Sequence, residues 1–208
     1  MPKKVAVIDY GAGNICSVVS AFEYLGVNSE VISTADQISN ASALVLPGVG
    51  AFSAAMATLK KDNLVSAIRN AALYDGKPFL GICLGMHLMF EAGFEDGVTA
   101  GLNILKGSVR DFRSLPEPPK KVPHIGFNTV NHQNGSKLFA GIEQNAQFYF
   151  LHSYFVDDLP TDSKLATCHY SVPFLAAFEK DNIFGTQFHP EKSQTNGLML
   201  LANFSQVL

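Results

Sequence analysis

Apolar runs and helical stripes alternate along the first 92 residues of the chain. Four short runs, three of them apolar and one (NSEVIS) more polar, are typical of strands. They lie at residues 5–9, 28–33, 43–47 and 79–82. Residues 14–25 carry a helical stripe that Gly26 ends. Residues 53–74 predict one or two helices with a break near Asp62, and residues 84–92, after the fourth run, predict another helix. Strands that alternate with helices predict an α/β fold in which a parallel sheet is covered on both faces.

The pattern changes after Gly101, where helical periodicity gives way to short β-like runs. These runs lie at residues 104–112, 124–130, 147–156, 164–172, 174–180 and 182–188. A helical stripe returns only at residues 195–208. We therefore expect an antiparallel extension of the parallel sheet and a closing helix. No repeat or low-complexity linker divides the chain, so residues 1–208 are expected to form a single domain.

Charge and hydropathy exclude several classes of partner. The chain has 208 residues and a formal net charge of −3, without a long basic run, which argues against nucleic acid as a main ligand. Its apolar stretches are too short, or too interrupted by proline and glycine, to predict a membrane span. The first apolar run stops at Asp9 and is too short for a signal peptide, so we expect a cytoplasmic protein.

The three cysteines, Cys16, Cys83 and Cys168, are an odd number in a chain without an export signal, which argues against a disulfide framework. They show no CxxC spacing, and no two histidines are paired at ligand distance on one helix. We therefore expect neither a metal site nor a cofactor.

Cys83 lies in the pattern Gly-x-nucleophile-x-Gly, GICLG, where a predicted strand meets a predicted helix. A side chain at such a corner is exposed at the top of the sheet, and the flanking glycines let the turn close. Free N–H groups at the start of the helix favour a thiolate. A buried, inert cysteine is the alternative interpretation.

A nucleophilic thiol needs a base and a group that orients the base. His189 follows a predicted strand that Pro190 ends, and the carboxylate of Glu191 can turn back toward the imidazole. This spacing predicts a Cys83–His189–Glu191 triad, and a surface histidine at a strand end is the alternative.

Acyl transfer also needs donors for an oxyanion. The N–H of Leu84 follows the nucleophile, and the glycine-rich turn PGVG at residues 47–50 can supply a second N–H, although an ordinary turn would look the same. The segment DYGAGN resembles the start of a dinucleotide-binding loop, but Cys16 stands where the third glycine belongs, which disfavours nucleotide binding.

Together PGVGAF, GICLGM and the late HPE resemble the class I (triad-type) glutamine amidotransferases. DYGAGN, KVPHIGFN, FYFLHSYF and QFHPEKS are similar to the glutaminase subunits of imidazole glycerol phosphate synthase, and these segments cover nearly the whole chain in order. The resemblance implies a doubly wound, flavodoxin-like sheet of the class I glutamine amidotransferase type.

The resemblance also implies a set of roles. Cys83 would attack the side-chain amide of glutamine, and His189 would assist the departure of ammonia before water hydrolyses the thioester. The backbone N–H groups of Val49 and Leu84 would form the oxyanion hole. The residues that would hold glutamine are Gly50, His87, His152 and Ser153.

In this family the ammonia passes to a separate (β/α)₈-barrel cyclase subunit, which makes imidazole glycerol phosphate and a purine precursor (AICAR) in histidine biosynthesis. The resemblance implies a heterodimer in which Asn14, His124, Phe127 and Lys192 lie toward the cyclase.

The chain departs from the family pattern at two positions. His87 stands where the family has glutamine, and Phe127 where it usually has tryptophan. His87 is four residues from Cys83, on the same helix face, and a neutral imidazole can imitate part of a carboxamide. The hypothesis is that His87 still contacts glutamine, with weaker or pH-sensitive binding. Packing beside the site is the alternative, and Phe127 would keep an apolar plug at the interface.

The sequence is also compatible with two other functions. A paralogous amidotransferase subunit could supply ammonia for amidino sugars of surface polysaccharide. A non-catalytic regulatory partner would have lost glutaminase activity, although Cys83, His189 and Glu191 are all present.

Overall fold

The computed structural model describes residues 4–157 and 162–208. Within these ranges the helices are α1 (Ile15–Tyr24), α2 (Ala35–Asn40), α3 (Phe52–Lys61), α4 (Leu64–Leu73), α5 (Leu84–Leu88) and α6 (Gln194–Gln206). The strands are β1 (Val5–Ile8), β2 (Ser29–Ile32), β3 (Ala43–Gly48), β4 (Phe79–Cys83), β5 (Ala92–Gly93), β6 (Thr99–Ala100), β7 (Ser108–Asp111), β8 (His124–His132), β9 (Ala146–His152), β10 (Tyr154–Val156), β11 (Lys164–Tyr170), β12 (Val172–Lys180) and β13 (Ile183–Thr186).

A nine-stranded mixed sheet organises the fold, in the order β2-β1-β3-β4-β13-β12-β11-β8-β9. The first five strands in this order pair in parallel, and the remaining strands pair antiparallel. The predicted parallel sheet with an antiparallel extension is confirmed. Because β13 lies beside β4 in the parallel half of the sheet, the residues that follow β13 lie close to the strand that carries Cys83.

The sheet is covered on both faces, as predicted. In β1, Ala6 and Ile8 pack with α2 to α5 on one face, while Val5 and Val7 pack with α1 and α6 on the other. Successive side chains of β1, β3 and β4 are all buried, which explains why these parallel strands appear as continuous apolar runs rather than alternating ones. The edge strand β2 instead exposes Glu30 and Val31. No helix in the described part of the chain is long and apolar enough to cross a bilayer.

Four local expectations differ from the structure. Helix α2 was not predicted, because it buries only Ile38, and a capping box between Thr34 and Gln37 fixes its start. Helix α5 ends at Leu88 rather than near residue 92, because backbone N–H groups of the segment 101–105 bond the carbonyls of residues 88–91.

The β-like run at residues 147–156 is divided between two sheets. It contributes β9 to the large sheet up to His152 and β10 to a small sheet of order β10-β7-β5-β6, and Ser153 lies between them. The strand before His189 likewise ends earlier than expected, at Thr186, so Pro190 begins a short 3-10 turn instead of ending the strand.

Candidate active site

The carboxyl ends of β3, β4 and β13 meet at one edge of the sheet, where a cavity of about 310 Å³ opens. Its size falls at the lower end for small-molecule sites. Seven of the residues that the sequence analysis singled out line it, namely Val49, Gly50, Cys83, Leu84, His87, His152 and Ser153. Ligands of open α/β sheets bind at such an edge, so the cavity is the candidate active site.

Cys83 occupies a strained corner between β4 and α5. Its φ of 53° and ψ of −110° are unusual for a residue with a side chain, and its side chain is almost entirely buried. A Cβ on Gly81 would lie 2.7 Å from the backbone of Met86, and a Cβ on Gly85 would overlap the carbonyl oxygen of Leu46. Only glycine therefore lets α5 start so close to β3 and turn Cys83 into the cavity.

His189 and Glu191 form a buried pair beside this corner. Nδ1 of His189 lies 2.8 Å from Oε1 of Glu191, and both side chains are at most 2% exposed. The backbone N–H of His189 bonds the carbonyl of Tyr149, which ties the residue to β9. Nε2 of His189 has no hydrogen-bond partner among the described residues, so it is free to exchange a proton with a reacting group.

The charges around His189 favour its protonated form. Burial lowers the pKa of His189, but the negative charges of Cys83 and Glu191 and contacts with both outweigh burial and raise the pKa to about 10. His189 can therefore be protonated at neutral pH, next to the sulfur of Cys83. This pair can attack an acyl carbon and protonate its leaving group.

The PGVG turn lies directly beside the nucleophile. Gly48 pairs with Cys83 in the register of β3 and β4, so Val49 is the first residue beyond the sheet at this point. Gly50 has a φ of 105°, a conformation that glycine adopts without strain. The hydroxyl of Tyr10 is buried without a partner among the described residues and lies against Gly48.

His87 lies one helical turn after Cys83 and is buried in the cavity wall. Its Nε2 is 2.6 Å from Oε1 of Gln187, so only Nδ1 remains for a ligand. Burial lowers the pKa of His87 to about 4, although the bond to Gln187 opposes this shift. The imidazole therefore stays neutral between pH 6 and pH 8, and the structure does not support pH-sensitive binding through its charge in that range.

His152 and His124 belong to a buried chain of hydrogen bonds. Nδ1 of His152 must donate to the carbonyl of Tyr154 at 2.8 Å, so its Nε2 accepts from Nδ1 of His124 at 3.0 Å. Nε2 of His124 then accepts from the amide of Asn128 at 3.2 Å. Burial lowers the pKa of His124 to about 4 and that of His152 well below its usual value, which keeps both rings neutral.

These hydrogen bonds change two expectations from the sequence analysis. Both ring nitrogens of His152 are occupied, so the ring has no free nitrogen for glutamine, and the residue can offer a ligand only its backbone and ring edge. The ring of His124 points inward and stacks on Tyr170 and Phe150, with centroids 4.1 Å and 4.7 Å away. Strand alternation puts His124 on the face opposite Phe127, so its ring is not part of an outward surface.

The outward face of β8 and β9 exposes apolar side chains. Ile125 and Phe127 are 59% and 45% exposed, and Leu151, the partner of Ile125 across the two strands, is 38% exposed. The ring of Phe127 contacts that of Tyr149 edge-on, and the ammonium of Lys192 lies 6.0 Å from the centre of the Tyr149 ring. Asn14 precedes α1, which packs beside the turn that contains Lys192.

The sequence analysis did not identify two residues of the candidate site. Glu95 contributes a carboxylate to its wall, and one oxygen of that carboxylate accepts the N–H of Phe52 at 2.7 Å. Nothing in the local pattern FEDG indicated this, because the small sheet alone brings Glu95 to the site. Gln187 lies two residues before His189, within the quoted QFHPEKS, but only its contacts show that its side chain reaches Cys83 and His87.

Comparison with known proteins identifies the family of the chain. The sequence profile of the class-I glutamine amidotransferase family matches residues 6–207. The chain belongs to the class I glutamine amidotransferase family. A relative from Caldanaerobacter subterraneus subsp. tengcongensis, named imidazole glycerol phosphate synthase subunit HisH, is 43% identical over 98% of this chain and 98% of its own length. A relative of the same name from Rhodopirellula baltica is 44% identical over 97% of this chain and 96% of its own length.

Solved structures of other amidotransferases share the fold. PurLQS from Thermotoga maritima matches with a TM-score of 0.78 at 16% identity, over 100% of this chain and 99% of that chain. A putative GMP synthase protein from Thermoplasma acidophilum matches with a TM-score of 0.74 at 20% identity, over 100% of this chain and 94% of that chain. The predicted class I glutamine amidotransferase fold is confirmed.

Proposed function

We propose that this chain is the glutaminase subunit of an imidazole glycerol phosphate synthase and acts in histidine biosynthesis. The observation that carries the proposal is its identity of 43% to 44%, along nearly its whole length, with relatives that bear this name. The buried pair of His189 and Glu191 beside Cys83 supports the catalytic part of the proposal.

The reaction converts glutamine and water into glutamate and ammonia. The Cys83 thiolate attacks the side-chain amide carbon, and the backbone N–H groups of Leu84 and Val49 stabilise the oxyanion. The His189 imidazolium then donates its Nε2 proton to the departing ammonia, which leaves a glutamyl thioester. Neutral His189 next takes a proton from water as the water attacks, and the thiolate returns. Glu191 holds the imidazole in the tautomer that both steps need.

Substrate binding follows from the cavity wall. Glu95 supplies a carboxylate, of which one oxygen remains free to bind the α-ammonium of glutamine. Gly50 and Ser153 line the same cavity and offer backbone groups to the other polar atoms of the substrate. The free Nδ1 of neutral His87 is an acceptor, which favours contact with an N–H of glutamine.

The partner in this proposal is a separate barrel cyclase that consumes the ammonia. The exposed apolar face of β8 and β9, with Ile125, Phe127 and Leu151, supports an interface, since contiguous apolar patches mark sites of protein association. Lys192 beside Tyr149 adds a positive charge at the edge of this face, which fits an acidic group on the partner.

Release of glutamate from glutamine tests the proposal. It is measured for the chain alone and with the cyclase of the same genome plus the nucleotide ligand of that cyclase. We expect strong stimulation that Cys83→Ala abolishes, while Cys168→Ala, a buried cysteine outside the cavity, keeps it. Absence of stimulation, while Cys83 still reacts with a glutamine-like electrophile, would reject the histidine-pathway pairing in favour of another ammonia acceptor.

A further inference from the structure

The carboxamide of Gln187 lies between the ring of His87 and the sulfur of Cys83. Gln187 is fully buried directly after β13, and its backbone N–H bonds the carbonyl of Ala176. Its Oε1 is 2.6 Å from Nε2 of His87, and its Nε2 is 3.9 Å from Sγ of Cys83. We infer that Gln187 donates an N–H to the sulfur of Cys83, and that His87 is the positioning residue that fixes the direction of this donor.

The tautomer of the His87 ring and the direction of the Gln187 amide are linked. A neutral imidazole has one N–H, and Nε2 of His87 must carry it in order to donate to the oxygen of Gln187. The amide nitrogen then faces Cys83. The reversed amide would direct a carbonyl oxygen at a thiolate, which repels it. A chain of donors therefore runs from His87 through Gln187 to the sulfur.

The two polar neighbours of the sulfur favour different protonation states. The carbonyl oxygen of Leu151 lies 3.9 Å from Sγ and can only accept, so it favours the thiol, which donates its S–H. Gln187 can donate, so it favours the thiolate, which is the nucleophilic form. The imidazole of His189 and the phenol of Tyr10 also interact electrostatically with the sulfur.

This inference rests on the proposed role of Cys83 as nucleophile, but it concerns the sulfur before any substrate binds. It also gives position 87 a second role besides contact with glutamine. A change at His87 should alter the reactivity of Cys83 in the absence of glutamine. Binding of glutamine alone cannot produce that effect, so the two roles of His87 are separable.

The experiment is alkylation of the free cysteines by iodoacetamide, followed by peptide mass spectrometry from about pH 5 to about pH 9, the range in which thiols titrate. The chain carries its own controls. Exposed Cys16 reports the intrinsic activity of the reagent, and buried Cys168 reports unfolding. For each variant, the quantity measured is the alkylation rate of Cys83 relative to that of Cys16, under conditions in which Cys168 stays unlabelled.

Gln187→Met keeps the length of the side chain and removes the donor. Loss of one hydrogen bond of ordinary strength should slow alkylation of Cys83 near neutral pH about threefold to tenfold. His87→Leu frees the amide to rotate and should slow alkylation by a smaller factor. His87→Gln retains a donor to Oε1 and should lose less than His87→Leu.

The double variant His87→Leu/Gln187→Met should react no more slowly than Gln187→Met, because His87 acts only through the amide. Equal rates in Gln187→Met and the unmodified chain, or two factors that multiply in the double variant, would overturn the inference. The chain could release no glutamate under any condition while Gln187→Met still slows alkylation. That result would support the hydrogen bond from Gln187 to Cys83 and reject the proposed function.

Discussion

Replacement of Glu191 by glutamine removes a buried charge without changing the shape of the side chain. The carboxylate lies 2.8 Å from Nδ1 of His189, and neither side chain is more than 2% exposed. Two unit charges about 4 Å apart interact by about 4 kcal/mol at an effective dielectric constant of about 20. About 1.4 kcal/mol corresponds to one pKa unit, so Glu191→Gln should lower the pKa of His189 from about 10. Cys83 contributes more to the raised pKa than Glu191 does, so part of the rise should remain in the variant.

Loss of the carboxylate weakens the imidazolium and frees the ring from the tautomer and orientation that proton transfer needs. Glutamate release at neutral pH should therefore fall about 100-fold to 10,000-fold, as expected for loss of the orienting carboxylate of a triad. The assay is an NMR titration of the His189 ring in both proteins, assigned with His189→Asn, alongside glutamate release with the cyclase. An unchanged titration of His189, together with activity within about twofold of the original protein, would refute this account.

Four further outcomes are expected. Gly85→Ala should lower the free energy of unfolding by about 3 kcal/mol or more, measured by urea denaturation, because its methyl group would overlap the carbonyl oxygen of Leu46. For His87, the unfolded chain gains a proton near pH 6.5 and the folded chain only near pH 4, so stability is full above pH 6.5 and falls as the pH drops. At about pH 5 this costs about 2 kcal/mol, and His87→Gln should lose correspondingly less between pH 7 and pH 5 in urea denaturation. Glu95→Gln should raise the KM for glutamine about tenfold or more with a smaller change in kcat, since it weakens binding of the α-ammonium in ground state and transition state alike. Phe127→Asp should weaken the cyclase complex about tenfold or more in calorimetry, whereas Tyr24→Asp, at the opposite edge of the sheet, should not.

The parts of the site that lie close together in the sequence could be predicted from it. The glycines of GICLG fixed the corner at Cys83, because the same few residues form the strand, the turn and the start of the helix. His189 and Glu191 are two residues apart, so their pairing is a local property of one turn. The apolar runs likewise predicted the parallel strands β1, β3 and β4, since each of these buries both of its faces.

The sequence by itself determined most of the large sheet, the corner at Cys83 and the pairing of His189 with Glu191, whereas the tertiary structure decided what surrounds them. Gln187 and His87 are 100 residues apart, and β13 must enter the sheet beside β4 before their side chains meet. Glu95 reaches the cavity only through the small sheet, and the hydrogen bonds of His152 depend on a partner from a neighbouring strand. Local patterns report which face of an element is apolar, but the partner of a buried polar group depends on which strands become neighbours, and only the folded chain determines that.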